Sequence, residues 1–350
     1  MTGRAAVVLG ATGVSGRALL SHLTALPGWS VIAVSRRKPD FETTARHVAV
    51  DMNDPASCRE GAAQLANATH VFYTAYLDRL TWVEQRAPNA AMLANMIDAL
   101  EPAAKGLQHV CLLQGTKYYG HHLGPYKIPA REDDPRHMPP NFYFDQQDYL
   151  VEKSQGKAWS WSCARPHIIC GMAIGTPMNA IAVIAAFAAI SKELKLPLRY
   201  PGGPAAYSVI RQATQGDLLA RAMVWMATNP ACANEAFNVT NGDHFRYEHL
   251  WPKIADLFGI PAAAPQRIDL QQFMPDKAQL WAGMVRKYDL RVADFAQVAD
   301  WRFATYTFNS DWDQMSDTNK CRQRGFVDCV DTEAMFLSEL QRFRDERIVP

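Results

Sequence analysis

The chain has 350 residues, 48% of them hydrophobic and 20% charged, with a formal net charge of +1; that length accommodates a nucleotide domain plus a smaller partner, and that balance excludes disorder, collagen-like repeats and coiled coils. A charge so near zero, with Lys and Arg scattered along the chain, gives no field to gather nucleic acid or an anionic membrane, so neither is an expected partner. The most apolar stretch, 180–190, has about half the length a bilayer span needs, and residues 1–10 run straight into a strand pattern without a signal-peptide layout, so a cytoplasmic protein is expected.

Up to residue 165, short β-branched apolar runs alternate with longer segments of helical period, the mark of βαβ units and a parallel sheet covered on both faces. The first strand is predicted at 5–9. Gly10-Ala11-Thr12-Gly13-Val14-Ser15-Gly16 follows it and opens a helix predicted over 14–25. In that setting Gly10 permits the tight turn, Gly13 lets backbone approach a pyrophosphate, Gly16 lets helix and strand pack closely, and the helix N-terminus supplies free N–H groups; Thr12 and Val14 belong to the same loop. A second strand, 30–35, ends in Ser35-Arg36-Arg37-Lys38 with no acid before Asp40. A ribose-binding carboxylate would favour NAD, whereas two guanidinium groups suit a 2′-phosphate, so NADP(H) is the expected cofactor.

The third strand, 47–50, leads to Asp51-Met52, the natural place for an adenine contact, although an Asp there also suits a helix cap. A fourth strand, 70–73, places Thr74 and Ala75 beside the same cofactor, and a helix is predicted over 82–100. After the fifth strand, 109–113, come Gln114, Gly115, Thr116 and Lys117. The segment 120–141 holds five prolines and reads as a long functional loop. A sixth strand, 159–164, precedes Pro166, His167 and Ile169.

Beyond Gly171 the period becomes helical, with helices predicted over 178–193, 217–228 and 248–258 and one more strand at 236–239. The expected fold is thus α/β, a Rossmann-type doubly wound parallel sheet (residues 1–171) with a smaller, mainly helical substrate region (172–350) that sends strands near 236–239 back to the sheet. Seven cysteines, none in a CxxC, read as reduced core thiols, and ten histidines without HExxH or Cys-His spacing give no metal site.

These motifs, together with His70-Val71-Phe72-Tyr73, Gly115-Thr116-Lys117, Asn141-Phe142-Tyr143, Arg165-Pro166, Asn234-Glu235-Ala236-Phe237-Asn238 and the terminal Ile348-Val349-Pro350, occur in one order over almost the whole chain. In this the sequence resembles the progesterone 5β-reductase and iridoid synthase family of atypical short-chain dehydrogenases, including its bacterial members. The resemblance implies NADPH-dependent reduction of the carbon–carbon double bond of a small apolar enone or enal, with Lys117 as the catalytic lysine and a homodimer possible by analogy. It also implies that the backbone around Pro166, His167 and Ile169 meets the nicotinamide carboxamide, and that Tyr76, Tyr118 and Tyr126 line the substrate cleft. Phe144 stands at the family's tyrosine position, and three readings are open: an engineered Tyr→Phe change, a natural variant with attenuated chemistry, or a site relieved by another hydroxyl. Gln147 and Gln114 also depart from the family pattern. Two alternatives remain, a carbonyl reductase or epimerase using Tyr149 and Lys153, which form a YxxxK on one helical face, and a non-catalytic NADP(H)-binding protein.

Overall fold

The computed structural model describes residues 3–350. In chain order the sheet half comprises β1 (Arg4–Leu9), α1 (Val14–Ala25), β2 (Trp29–Ser35), β3 (Arg46–Ala49), α2 (Pro55–Ala63), β4 (His70–Tyr73), α3 (Trp82–Ala103), β5 (His109–Leu113), α4 (Phe142–Lys153) and β6 (Ser160–Pro166). There follow β7 (Ile168–Cys170), α5 (Ala180–Glu193), β8 (Leu198–Arg199), α6 (Pro204–Ser208), β9 (Ala213–Gln215), α7 (Gly216–Thr228), β10 (Glu235–Val239) and α8 (Tyr247–Phe258). The chain closes with β11 (Ala262–Ala263), α9 (Leu270–Phe273), α10 (Ala278–Tyr288), α11 (Phe295–Val298), α12 (Trp301–Asn309), α13 (Asn319–Gln323) and α14 (Thr332–Asp345).

Seven strands form one parallel sheet in the order β3-β2-β1-β4-β5-β6-β10. Alternation along β1 explains its two covers: Val7 and Leu9 pack with Leu93, Met96 and Ile97 of α3 on one face, while Ala6 and Val8 pack with Leu19 and Leu23 of α1 and Leu219 and Met223 of α7 on the other. The order reverses between β1 and β4, and at such a switch point the loops after the strands diverge and leave a crevice. The expected Rossmann-type sheet is present, and both α7 and β10, from beyond residue 171, belong to its layers.

A second core fills the C-terminal half around α5, in which every residue from Ala180 to Ser191 is buried. A helix apolar all round needs partners on every side, and α5 has them in α8, α10, α12 and α14. Among the described residues no helix is long and apolar enough to cross a membrane. A short parallel pair, β7 with β9, stitches this core to the end of β6. The cysteines are free; six are buried, and Cys329 differs from the expected core thiol in being exposed.

Candidate functional site

A single cleft runs from the glycine loop to the C-terminal half. At its first end Gly10 has φ +86°, and a Cβ there would lie 2.6 Å from the backbone nitrogen of Ala75, so only glycine lets the loop after β1 meet the loop after β4. A Cβ on Gly16 would come within 2.2 Å of the Gly10 carbonyl. Asp54, Thr81, Asn141 and Asn179 cap α2, α3, α4 and α5 with their side chains, but α1 begins at Gly13 with no side-chain cap. Its first turn therefore presents amides to the cleft, which Thr12, Gly13, Val14 and Ser15 line, and such a cradle fits a pyrophosphate.

Ser35 donates from Oγ to the Arg37 carbonyl at 2.7 Å and so fixes the turn after β2. Arg36 and Arg37 are exposed there, line the cleft and form no ion pair among the described residues. Asp51, Met52 and Asn53 form the neighbouring wall. The Asp51 carboxylate accepts from the Asn53 backbone N–H at 3.0 Å and its side chain at 3.1 Å, which hold it below the usual carboxylate range. Asp54, not Asp51, caps α2. Thr74 donates from Oγ1 to the Leu9 carbonyl at 2.9 Å, setting Thr74 and Ala75 against the glycine loop.

The middle of the cleft holds Lys117 and Tyr143. The Lys117 ammonium sits 4.4 Å from the Trp82 ring centroid and 3.6 Å from Met178 Sδ. Burial among these groups pulls its pKa down to about 8, against the weaker opposing field of Asp300. Tyr143 lies beside Gly115, where a Cβ would stand 3.4 Å from the phenol oxygen and 3.6 Å from the Pro166 carbonyl. Its hydroxyl has no hydrogen-bond partner among the described residues, and burial raises its pKa, so the phenol stays protonated. Two side chains set this pair. Asn141 Oδ1 accepts from Tyr143 N–H at 3.0 Å while Nδ2 donates to the Lys117 carbonyl at 2.8 Å. Gln114 Nε2 donates to the Tyr143 carbonyl at 2.9 Å and its Oε1 accepts from Arg165 Nε at 2.9 Å.

Several expected residues lie elsewhere. Phe144 does not line the cleft: one step along α4 turns a side chain by about 100°, and its ring packs edge-on against Tyr118 at 5.0 Å and beneath Arg136 at 4.9 Å. Tyr118, expected in the cleft, lies in the same buried cluster, with the Arg165 guanidinium 3.3 Å over its ring. Tyr126 packs on the same small cluster rather than in the cleft. Tyr76 does line the cleft, its hydroxyl donating to Asp78 at 2.9 Å. Tyr149 and Lys153 face α3, where both reach Asp98 at 2.7 Å, so the YxxxK stands outside the cleft.

Pro166, His167 and Ile169 follow Tyr143 along the wall. His167 Nε2 meets Ser316 Oγ at 2.8 Å, and burial pushes its pKa down to about 3, leaving it neutral. No sequence motif marks the far wall, which is His121 from the proline-rich loop, Arg211, Phe303, Tyr306 and Thr307 of α12, Ser310 and Gln314. They come from segments without any common motif.

A family model described as a PRISE-like Rossmann-fold domain matches residues 49–350. The chain is 33% identical over 366 residues to (S)-8-oxocitronellyl enol synthase of Camptotheca acuminata, covering 99% of this chain and 93% of that protein. It is 32% identical over 367 residues to 3-oxo-Δ(4,5)-steroid 5-β-reductase of Arabidopsis thaliana, with the same coverage. A short chain dehydrogenase of Penicillium aethiopicum is 31% identical over 376 residues, covering 99% of both chains. Among solved structures, a putative epimerase from Burkholderia cenocepacia superposes with a TM-score of 0.69 at 17% identity over 98% of both chains, a likeness of fold.

Proposed function

The chain belongs to the PRISE-like Rossmann-fold family, and from that premise we propose that it is an NADPH-dependent ene-reductase, adding hydride to the β-carbon of an enone or enal. The observation that carries this reading is the pairing of Lys117 with the unpartnered Tyr143 hydroxyl beside Gly115 and Pro166, at the point where the phosphate cradle gives way to the substrate end. When bound, NADPH supplies the hydride. The α1 amides hold its pyrophosphate, Arg36 and Arg37 its 2′-phosphate, and Asp51 and Met52 the adenine side. Lys117 anchors the nicotinamide ribose through its ammonium.

As hydride reaches the β-carbon, negative charge moves to the carbonyl oxygen, and Tyr143, kept protonated by burial, donates a hydrogen bond to it. The enolate α-carbon then takes a proton from a solvent water, which leaves as hydroxide, and the saturated carbonyl compound departs. Of the three readings of Phe144, the last fits this chemistry: the hydroxyl is supplied next door by Tyr143, and Phe144 packs α4 against Tyr118.

The test follows the label from 4-deuterated NADPH, with deuterium on the transferred face, into cyclohexenone or citral. Deuterium on the β-carbon of a saturated product supports the proposal. Deuterium on the carbinol carbon of an allylic alcohol means carbonyl reduction and overturns it.

A further inference from the structure

Arg211 is 1% exposed, yet it forms no ion pair among the described residues. Its backbone is pinned by reciprocal hydrogen bonds of 2.9 Å with Phe245, just before β9, and its guanidinium stands 5.4 Å from the Tyr247 ring centroid. Nη2 donates to the Ser310 carbonyl, while Nε is buried with no partner among the described residues. A guanidinium is always charged, and a buried one without a carboxylate is an expensive arrangement that a ligand can complete.

The surroundings point the same way. Gln314 is 4% exposed and its side-chain amide makes no hydrogen bond among the described residues, although both it and Arg211 line the cleft. His121 Nδ1 is buried without a partner among the described residues, and its Nε2 lies 3.4 Å from the Tyr306 hydroxyl. Burial keeps His121 and His167 neutral, so Arg211 is the formal charge of this wall. Asp51 is the one acid among the described residues lining the cleft, and it stands at the other end. The cofactor's phosphates have their own partners in the glycine loop and in Arg36 and Arg37.

We infer that Arg211, with Gln314 beside it, binds a carboxylate carried by the substrate, so the preferred substrates are enones or enals with an anionic tail rather than wholly apolar ones. The inference rests on the ene-reductase reading of the same cleft. It makes Arg211 a specificity residue: the carboxylate closes the open valences of the guanidinium through charge-assisted hydrogen bonds, and the reacting double bond is left at Tyr143 and Lys117.

The experiment compares a linear methyl enone ending in a carboxylate with its methyl ester, using the NADPH-loaded enzyme, Arg211→Met and Arg211→Lys. The wild type is expected to show a KM for the acid about ten- to a hundredfold below that for the ester. Arg211→Met brings that ratio close to one while still binding NADPH, and Arg211→Lys keeps part of it. Equal KM values in the wild type, or a preference that survives in Arg211→Met, overturn the inference. If the wild type reduces neither compound, the ene-reductase reading fails by itself. The saturated acid then decides the point by thermal melting of the NADP-loaded protein: a rise in Tm in the wild type but not in Arg211→Met upholds carboxylate binding, and no rise in the wild type refutes it.

Discussion

The two ends of the cleft are built by different means. At the nucleotide end, contiguous residues and backbone atoms do the work: the α1 amides, the Gly10 turn and the Ser35 to Arg37 carbonyl bond are each contained in a few consecutive positions. At the far end, His121, Arg211, Tyr306 and Gln314 meet from positions far apart in the chain or in different elements, with no contiguous motif among them. A site made of backbone tolerates little change because a Cβ at Gly10 or Gly16 strikes main chain, whereas a site made of side chains can be re-specified residue by residue. The first kind suits a fixed cofactor and the second a substrate that varies among relatives.

The contrast sharpens into experiments of decreasing effect. Between the two ends, Lys117→Met removes the ammonium and is expected to lower kcat/KM on the order of a hundred- to a thousandfold, measured by NADPH oxidation with an enone. The same group sets a pH limb. Its pKa of about 8 in the free protein means the ammonium is present below that pH and is lost above it, so kcat/KM for NADPH should fall about tenfold per pH unit above 8. A flat profile up to pH 9 would contradict Lys117 as anchor.

At the nucleotide end, Arg36→Ala and Arg37→Ala should each weaken NADPH about tenfold by calorimetry and leave NADH unchanged, a modest loss because both guanidinium groups are exposed. Equal losses for both cofactors would mean that the turn acts through folding and not through the 2′-phosphate. Smallest of all, Phe144→Tyr and Tyr149→Phe should each leave turnover within about twofold, since neither side chain lines the cleft; their effect belongs to stability, on the order of 1 kcal/mol.

The difference between the ends also explains what could be read from the sequence. The glycine loop, the arginine pair and six strands are local patterns; β4 and β5 have the expected limits, and the other four strands lie within two residues of theirs, as with β6 at Ser160–Pro166 against 159–164. The short helix α2 escaped notice although Asp54 followed by Pro55 is a capped helix start. At Tyr143 and Phe144 the motif marked the right turn of helix but not which of two adjacent rings faces the cleft, because that depends on the phase of α4 fixed by Asn141 and Gln114. Arg211 carried no signal at all: its burial and missing counter-charge arise only when β9, α8 and the segment after α12 come together.

In the proposed reaction the Tyr143 hydroxyl, and not position 144, meets the charge developing on the substrate oxygen. Single-turnover decay of NADPH absorbance in Tyr143→Phe, with an enone at saturation, tests it most directly. Hydride transfer is expected to slow about a hundredfold or more with NADPH affinity kept. A rate equal to the wild type would contradict it.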